Sequence, residues 1–188
     1  MAAEEVFRVL EPDVTREDFH RAAQDMGFSL VNTWPSRNSS EAYEEVWSVP
    51  DRTQAIHYLE DPISGTNYLR IRGPNTEKLL FELRRVPYFY PEELLEEAAE
   101  ADNHDDQVKA AFRLTVTFPQ FEPNVYKLLE AYATQDADAL LRQATLNAIA
   151  YRCWPQFSAL FEDLSRNDPD ERVRETAKRL LPYVNTQR

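Results

Sequence analysis

The chain has 188 residues, with 33 acidic and 21 basic side chains and a formal net charge of −12. A charge of this sign repels phosphate backbones, so we expect no nucleic-acid partner. Only three glycines are present, at Gly27, Gly65 and Gly73, which excludes the glycine-rich loops that bring backbone amides onto phosphates.

The cysteine and histidine content excludes two further kinds of site. One cysteine and three scattered histidines exclude a disulfide framework and the usual zinc spacings, so we expect neither a metal nor a cofactor. The N-terminus lacks the basic region and apolar core of a secretory signal. No apolar run approaches the roughly 18 residues that a membrane span needs. These features predict a cytoplasmic protein that does not enter a membrane.

The first predicted element is a helix over about residues 16–26. Thr15 and Asp18 have the spacing of a capping box, in which each side chain accepts from the backbone amide of the other residue. Apolar residues then recur at helical spacing, and Gly27 supplies a C-terminal stop.

After this helix the hydrophobic period changes from helical to alternating. Residues 43–49, 53–60 and 66–72 read as strands, and the linker between the last two carries the proline and glycine typical of tight antiparallel connections. A second helix is predicted over 76–85. Residues 1–85 are therefore expected to form a small α/β cap with the order helix, three-stranded antiparallel meander, helix.

Two side chains raise the question of catalysis. His57, in a predicted strand, could act as a general base because its ordinary pKa lies near neutrality, or it could pack on the sheet. Cys153 could be a nucleophile or a buried packing residue. Neither has a catalytic companion at an informative spacing, so we predict no catalytic residues.

The remainder of the chain repeats with a period of 32. Pro91, Pro123 and Pro155 are separated by 32 residues each and precede helical patterns, where proline suits the first turn. A second apolar position recurs in each unit, at Val108, Leu141 and Val173. Self-similarity at this period indicates stacked helical hairpins, in which neighbouring repeats complete each other's core.

Residues 87–188 resemble HEAT repeats, most clearly in the segment that runs from Asp168 to Ala177, DPDERVRETA. The resemblance implies a ladder between adjacent repeats, made by a turn aspartate and a basic residue six positions later. The matching pairs are Asp136 with Arg142 and Asp168 with Arg174, whereas the first unit has an asparagine and a lysine at these positions.

These observations predict an α+β fold. The small α/β cap of residues 1–85 is followed, in residues 86–188, by an α-solenoid of about three HEAT-like helical hairpins. Helical-wheel positions place a mixed polar and apolar set on the concave face of the stack, where it would contact a protein. Its candidate binding residues are Arg113, Gln143, Leu146, Asn147 and Lys178.

An acidic patch begins the helical region. Between Val86 and Val108 there are eight acidic side chains and no lysine or arginine. The patch could attract a basic partner by electrostatic steering, or it could be the solvated face of an outer helix. Its central members are Glu92, Glu93, Glu96, Glu97 and Glu100.

The favoured function is a non-catalytic protein-binding module, an adaptor or an acidic inhibitor of the immunity-protein type, whose partner is a protein and, in the inhibitor version, a basic one. Two alternatives stay open. The first alternative is a lyase-type enzyme for a bilin-like small molecule, because some proteins with similar HEAT-like repeats are lyases that act on bilins. A structural subunit, whose meander adds an edge or face to another chain, is the other. The sequence does not predict an oligomeric state.

Overall fold

A computed structural model describes residues 4–134 and 138–185. The chain divides into two compact units, Met1–Tyr90 and Pro91–Arg188. The boundary falls five residues after the predicted one because residues 86–90 belong to the first unit. Val86 is buried in its core, and the Phe89 amide donates to the Val9 carbonyl at 2.9 Å.

The first unit contains a five-stranded antiparallel sheet and two helices within its described residues. The strands are β1 (Glu4–Val9), β2 (Ser29–Trp34), β3 (Tyr43–Ser48), β4 (Ala55–Asp61) and β5 (Thr66–Gly73), and the helices are α1 (Arg16–Asp25) and α2 (Thr76–Glu82). The order across the sheet is β1-β5-β4-β3-β2. Strands β3 to β5 are the predicted meander.

The prediction of three strands was wrong, because β1 and β2 extend the sheet at its two edges. β1 pairs with β5, from Glu4 opposite Gly73 to Val9 opposite Tyr68. β2 pairs with β3 across a register shift between Leu30 and Asn32. All six residues of β2 are exposed, so the strand lacks the alternation of apolar and polar residues that marks a half-buried strand.

Helix α1 packs on the sheet through Phe19 and Ala23, which are completely buried. The Thr15 hydroxyl accepts from the Asp18 amide and the Asp18 carboxylate accepts from the Thr15 amide, which confirms the predicted capping box. Phe19 stacks on Tyr58 of β4 with 5.1 Å between ring centroids. Burial of such a side chain contributes roughly 1.5–3 kcal/mol, so α1 is held to the sheet mainly by this face.

Helix α2 is shorter than predicted, since it ends at Glu82 rather than at residue 85. Its buried apolar residues, Leu79 and Leu80, join Leu83 in the core cluster of the first unit. The helix contacts β1 and β5.

Gly73, the last residue of β5, has a φ of +132°, and a Cβ there would lie 2.7 Å from the Thr53 carbonyl oxygen. We expect Gly73→Ala to lower the free energy of unfolding by about 2 kcal/mol, measured by denaturant titration. Gly65→Ala is the matched control. Gly65 also has a positive φ, +63°, but no atom lies within 4 Å of its Cβ position. Equal losses in both variants would show that the close contact at Gly73 costs nothing.

The second unit contains six α-helices within its described residues. They are α3 (Pro91–Glu100), α4 (His104–Thr117), α5 (Pro123–Thr134), α6 (Ala139–Ile149), α7 (Ser158–Asn167) and α8 (Glu171–Asn185). Pro91 and Pro123 are the first residues of α3 and α5, whereas Pro155 begins a short 3-10 turn, Pro155–Phe157.

These helices contact one another in consecutive pairs. α3 packs on α4, α5 on α6, and α7 on α8. The second helices of the pairs also form a row, because α4 contacts α6 and α6 contacts α8. The central helix α6 is consequently enclosed on several sides, with Leu141, Thr145 and Ala148 fully buried.

Candidate functional site

The predicted concave face does not exist as one exposed surface. Leu146 is 0% exposed, so its assignment to a binding face was wrong. The reason lies in the packing of α6, which contacts α4, α5 and α8 and therefore buries more than one stripe of its surface. Leu146 contributes to the core between the helices.

Gln143 and Asn147 lie in the seam between α6 and α8. The Gln143 side-chain amide donates to the Thr176 hydroxyl at 3.0 Å. Arg179 donates to the Asn147 side-chain oxygen at 3.3 Å. Both residues are half-buried. Their polar groups therefore join two helices of this unit.

Arg113 and Lys178 have different surroundings. The Arg113 guanidinium donates to the Glu97 carboxylate at 2.5 Å and its side chain is 12% exposed, so it connects α4 to α3. Lys178 is exposed and pairs with Glu175 one turn earlier on α8, at 2.7 Å. The five predicted binding residues are thus divided among the core, two helix seams and the solvent.

The acidic patch is largely on the surface of α3. Its exposed carboxylates on this helix are Glu92, Glu93, Glu96 and Glu100, and the three aspartates that follow α3 in the chain, Asp102, Asp105 and Asp106, are exposed too. Glu97 is the exception, since it is half-buried and receives the Arg113 guanidinium. We use the name acidic α3 face for the four exposed glutamates. With no cation on α3 itself, this face presents negative charge to solvent.

The ladder residues make a buried ion pair between the second and third helix pairs. Arg142, on α6, donates from Nε and Nη2 to the two carboxylate oxygens of Asp168, at 2.9 and 2.8 Å. The two side chains are 7% and 2% exposed. Arg174 donates to the backbone carbonyls of Asp168 and Pro169, at 2.6 and 3.0 Å. Asp136 lies outside the described residues.

The contact with Arg142 favours the ionised form of the Asp168 carboxyl. Burial acts to raise the pKa of its carboxyl, but the hydrogen bonds from Arg142 and from the Asp170 amide outweigh burial and lower the pKa below its ordinary value. Hydrogen bonds to the charged form favour that form. The pair is therefore ionised at neutral pH.

A polar cluster that the sequence did not predict lies inside the first unit. Glu45 of β3 is 2% exposed, and its carboxylate accepts three hydrogen bonds. The donors are Tyr43 at 2.5 Å, Trp47 at 2.9 Å and, from α1, His20 Nε2 at 2.7 Å. We call these four residues the Glu45 cluster. Burial raises the pKa of Glu45, but the hydrogen bonds lower it overall.

A second ion pair adjoins this cluster. Arg16, at the start of α1, donates to both carboxylate oxygens of Glu60 at 3.0 and 2.5 Å. Its guanidinium carbon lies 3.6 Å from the centroid of the Tyr43 ring, within cation–π range. Burial and the hydrogen bond to Glu45 raise the pKa of Tyr43 to about 12. Together these contacts tie α1 to β3 and β4.

The sequence contained one signal for this cluster. Tyr43, Glu45 and Trp47 alternate along a predicted strand, so a carboxylate was placed on the same face as a tryptophan. A buried charge requires partners. His20, the partner of Glu45 from outside β3, comes from a helix that is distant in sequence, which is why the pattern within the strand could not identify it.

A shallow cavity of ≈ 300 Å³ lies beside Tyr43 and Glu60. Its other lining residues are Ser36, Ser39, Glu41, Asp61, Pro62, Gly65 and Asn67. The Glu60 carboxylate on its wall is already bonded to Arg16 and to the Tyr58 hydroxyl. These contacts give the carboxylate a structural role, and the lining set has no histidine or cysteine to act as a base or nucleophile with the serines.

His57 and Cys153, the two candidates for catalysis, both make hydrogen-bonding contacts within the fold. His57 Nδ1 lies 2.5 Å from the Glu44 carboxylate on the neighbouring strand β3. The Cys153 thiol donates to the Ala150 carbonyl at 3.0 Å, and burial raises its pKa. A raised pKa keeps the thiol protonated and unreactive.

In residues 4–134 and 138–185, no helix is long and apolar enough to cross a membrane. In the same ranges, no group of three or more histidine, cysteine, aspartate or glutamate side chains has the arrangement to hold a metal ion. Comparison with protein-family models, with curated proteins and with solved structures finds no match to this chain.

Proposed function

We propose that this chain is a protein-binding module whose second unit is a short HEAT-like stack and whose acidic α3 face contacts a basic partner. Three features support the stack: the pairing of consecutive helices, the row formed by α4, α6 and α8, and the buried Arg142–Asp168 pair between successive helix pairs. Stacked hairpins of this kind present extended surfaces to other proteins.

The acidic α3 face carries the proposal about the partner. Four exposed carboxylates on ten residues of helix create a local negative potential, which raises the association rate of a positively charged protein. Residues 1–106 hold 23 acidic and 10 basic side chains, or −13, whereas residues 107–188 hold 10 and 11, or +1. The proposed contact therefore lies in the acidic part of the chain.

The partner is sought with the tagged full chain in lysate at low and at high salt, with mass spectrometry of the retained proteins. A basic protein that is retained at low salt and weakened at high salt is the expected result. Retention that does not depend on salt would contradict the electrostatic proposal. A coloured small molecule that accompanies the purified chain would instead favour the lyase-type alternative.

The contribution of the acidic α3 face is tested by replacing Glu92, Glu93, Glu96 and Glu100 with glutamine. We expect the association rate with the purified partner to fall about tenfold at low salt, with a shallower salt dependence. Stopped-flow or biosensor kinetics measures both. Dissociation should change less, because exposed charges act mainly on encounter.

A control variant changes the same net charge elsewhere. Glu11, Asp13, Glu17 and Asp25 are also exposed, and their replacement by glutamine or asparagine removes four charges from the first unit. The association rate should fall much less in this variant. Equal effects of the two variants would assign the steering to the net charge of the chain and not to α3.

A further inference from the structure

Arg8 occupies a position of β1 where the alternation of the strand predicts an apolar residue. Val6 and Leu10, two residues before and after it, pack on the core of the first unit, and Leu69, opposite Arg8 on β5, belongs to the same core. Arg8 itself is only 9% exposed. A buried charge is costly unless it is paired, and breaks in the hydrophobic pattern are expected mainly at functional or strained positions.

The pairing of Arg8 within the chain is incomplete. Of the five N–H groups of its guanidinium, one on Nη1 donates to the Phe7 carbonyl at 2.9 Å. Nη2 lies 3.4 Å from the carboxylate of Glu77 on α2, beyond the ordinary range of about 2.7–3.2 Å. The Glu77 side chain is 76% exposed, and such an exposed pair contributes little. Nε is closed to solvent and has no acceptor among residues 4–134 and 138–185.

Other arginines of this chain use the same two nitrogens differently. Arg16 binds both carboxylate oxygens of Glu60 through Nε and Nη2, at 3.0 and 2.5 Å. Arg142 binds Asp168 in the same way, at 2.9 and 2.8 Å. In Arg8 the corresponding pair of nitrogens has one long contact at Nη2 and none at Nε. This pair therefore matches an anion with two oxygens, which a guanidinium binds through two parallel hydrogen bonds.

A tyrosine hydroxyl provides a further donor near Arg8. Burial and a hydrogen bond with Tyr90 raise the pKa of Tyr88, whereas the nearby charge of Arg8 acts to lower it. The Tyr88 hydroxyl donates to the Leu80 carbonyl at 3.4 Å, a long distance for an O–H donor. The hydroxyl therefore gives up little when it turns to an anion beside Arg8.

We propose that Arg8 binds the oxyanion of a ligand, a phosphate or carboxylate group, through Nε and Nη2, with the Tyr88 hydroxyl as an additional donor. The ligand enters where the Glu77 carboxylate lies, and the exposed Glu77 side chain turns into solvent. The Glu77 contact shows that Nη2 is within reach of a carboxylate from the surface. Binding compensates a buried charge and gives Nε an acceptor, and the chain itself provides neither in full.

The net charge of −12 opposes anions at long range but does not cancel this contact. Repulsion from charges beyond about 8–10 Å is screened at physiological salt. The guanidinium acts at hydrogen-bond distance and in a site from which water is largely excluded, where electrostatic attraction is stronger than in water. We therefore expect the oxyanion to bind at physiological ionic strength, and the titrations are made there.

The test follows the Nε–H signal of Arg8 in the full chain by nuclear magnetic resonance at constant ionic strength. Inorganic phosphate, acetate and chloride are the probes. Phosphate or acetate should shift the signal to saturation, and chloride, which has no pair of oxygens, should not. Tighter binding of phosphate would identify a phosphoryl group as the ligand, and tighter binding of acetate a carboxylate. No saturable shift with either, or an equal shift with chloride, would overturn the proposal.

Arg8→Lys should weaken binding of the preferred probe about tenfold, because an ammonium group lacks the paired N–H groups. Backbone amide signals around residue 8 report binding in this variant. Arg16→Lys is the matched control, since Nε and Nη2 of Arg16 are already bound by Glu60, and it should leave binding unchanged. Equal weakening in the two variants would contradict the assignment to Arg8.

Glu77→Gln has the opposite expected effect and keeps the Arg8 guanidinium in place. Binding of the probe should tighten about two- to fivefold, because a carboxylate that competes for Nη2 is removed. An Arg8–Glu77 pair with a purely structural role would give no such gain, so unchanged or weaker binding would also overturn the proposal. This variant tests the site even where Arg8→Lys does not fold.

Glu17→Gln is the control for net charge, because it removes the same charge from an exposed position on α1. It should tighten binding much less than Glu77→Gln. Equal tightening in the two would assign the effect to the charge of the whole chain and count against a site at Arg8. The site involves none of the acidic α3 face, so its failure leaves the proposed function untouched, and the reverse is also true.

Discussion

Asp168→Ala is expected to lower the free energy of unfolding by about 3–5 kcal/mol. Removal of the carboxylate leaves the Arg142 guanidinium, whose side chain is 7% exposed, without its charged partner in a site from which water is largely excluded. The loss of two hydrogen bonds of 2.8 and 2.9 Å adds to this cost. Urea or guanidinium titration of the second unit's helical signal measures the change.

Two further variants separate the ion pair from simple packing. Replacement of both residues by apolar ones, Arg142→Met with Asp168→Leu, should recover much of the lost stability, because it removes the unpaired charge together with its partner. Glu175→Ala breaks an exposed pair on α8, with Lys178, and should have a far smaller effect. If Asp168→Ala were as mild as Glu175→Ala, the pair would contribute nothing to the joining of the helix pairs.

The pH dependence of the Asp168 contribution has a definite sign. Its folded-state pKa is lower than its unfolded-state pKa, so the stabilisation is fully present above the ordinary aspartate pKa, about 3.9. It is lost as the pH falls through the lower folded-state value. The stability difference between wild type and Asp168→Asn should therefore shrink under acidic conditions and stay constant near neutrality. A difference that persists unchanged in acid would show that the carboxylate charge is not the stabilising feature.

Elements that depend on nearby residues could be predicted from the sequence. The start of α1 follows from Thr15 and Asp18, which cap it through their own side chains and backbones. Strands β3 to β5 follow from short linkers and from alternation, because each pairs with its neighbour in the chain. In these cases the partners of each group lie in the same element or in the next one along the chain, and local chemistry is sufficient.

Features that leave no pattern in the residues that form them could not be predicted. β2 is recognisable as a strand only through its pairing with β3, since its own residues show no buried face. Leu146 was assigned to a surface because a helical wheel divides a helix into one inner and one outer face. α6 instead has three helical neighbours. The number of neighbours of a helix is a property of the packed unit, and residue spacing does not contain it.

Glu45→Ala is expected to lower the free energy of unfolding by about 2–4 kcal/mol. The change removes the acceptor of three hydrogen bonds. One of the donors that lose their acceptor is the indole N–H of Trp47, a residue that is only 4% exposed. It also releases His20 from the sheet, which weakens the attachment of α1. Equilibrium unfolding followed by tryptophan fluorescence measures the loss, since Trp47 belongs to the cluster.

Glu44→Ala is the matched control for this prediction because Glu44 is the adjacent glutamate on the same strand. Its carboxylate contacts His57 on the other face of the sheet and its side chain is 27% exposed, so solvent can replace the lost contact. The Glu45 pKa is lowered on folding, so the stability contributed by Glu45 should be complete above the ordinary glutamate pKa, about 4.3. That contribution should then be lost as the pH falls through the lower folded-state value. Equal losses in the two alanine variants would mean that the buried hydrogen bonds of Glu45 give no more stability than the half-buried Glu44–His57 pair. The Glu45 cluster would then be a consequence of the fold and not a cause of it.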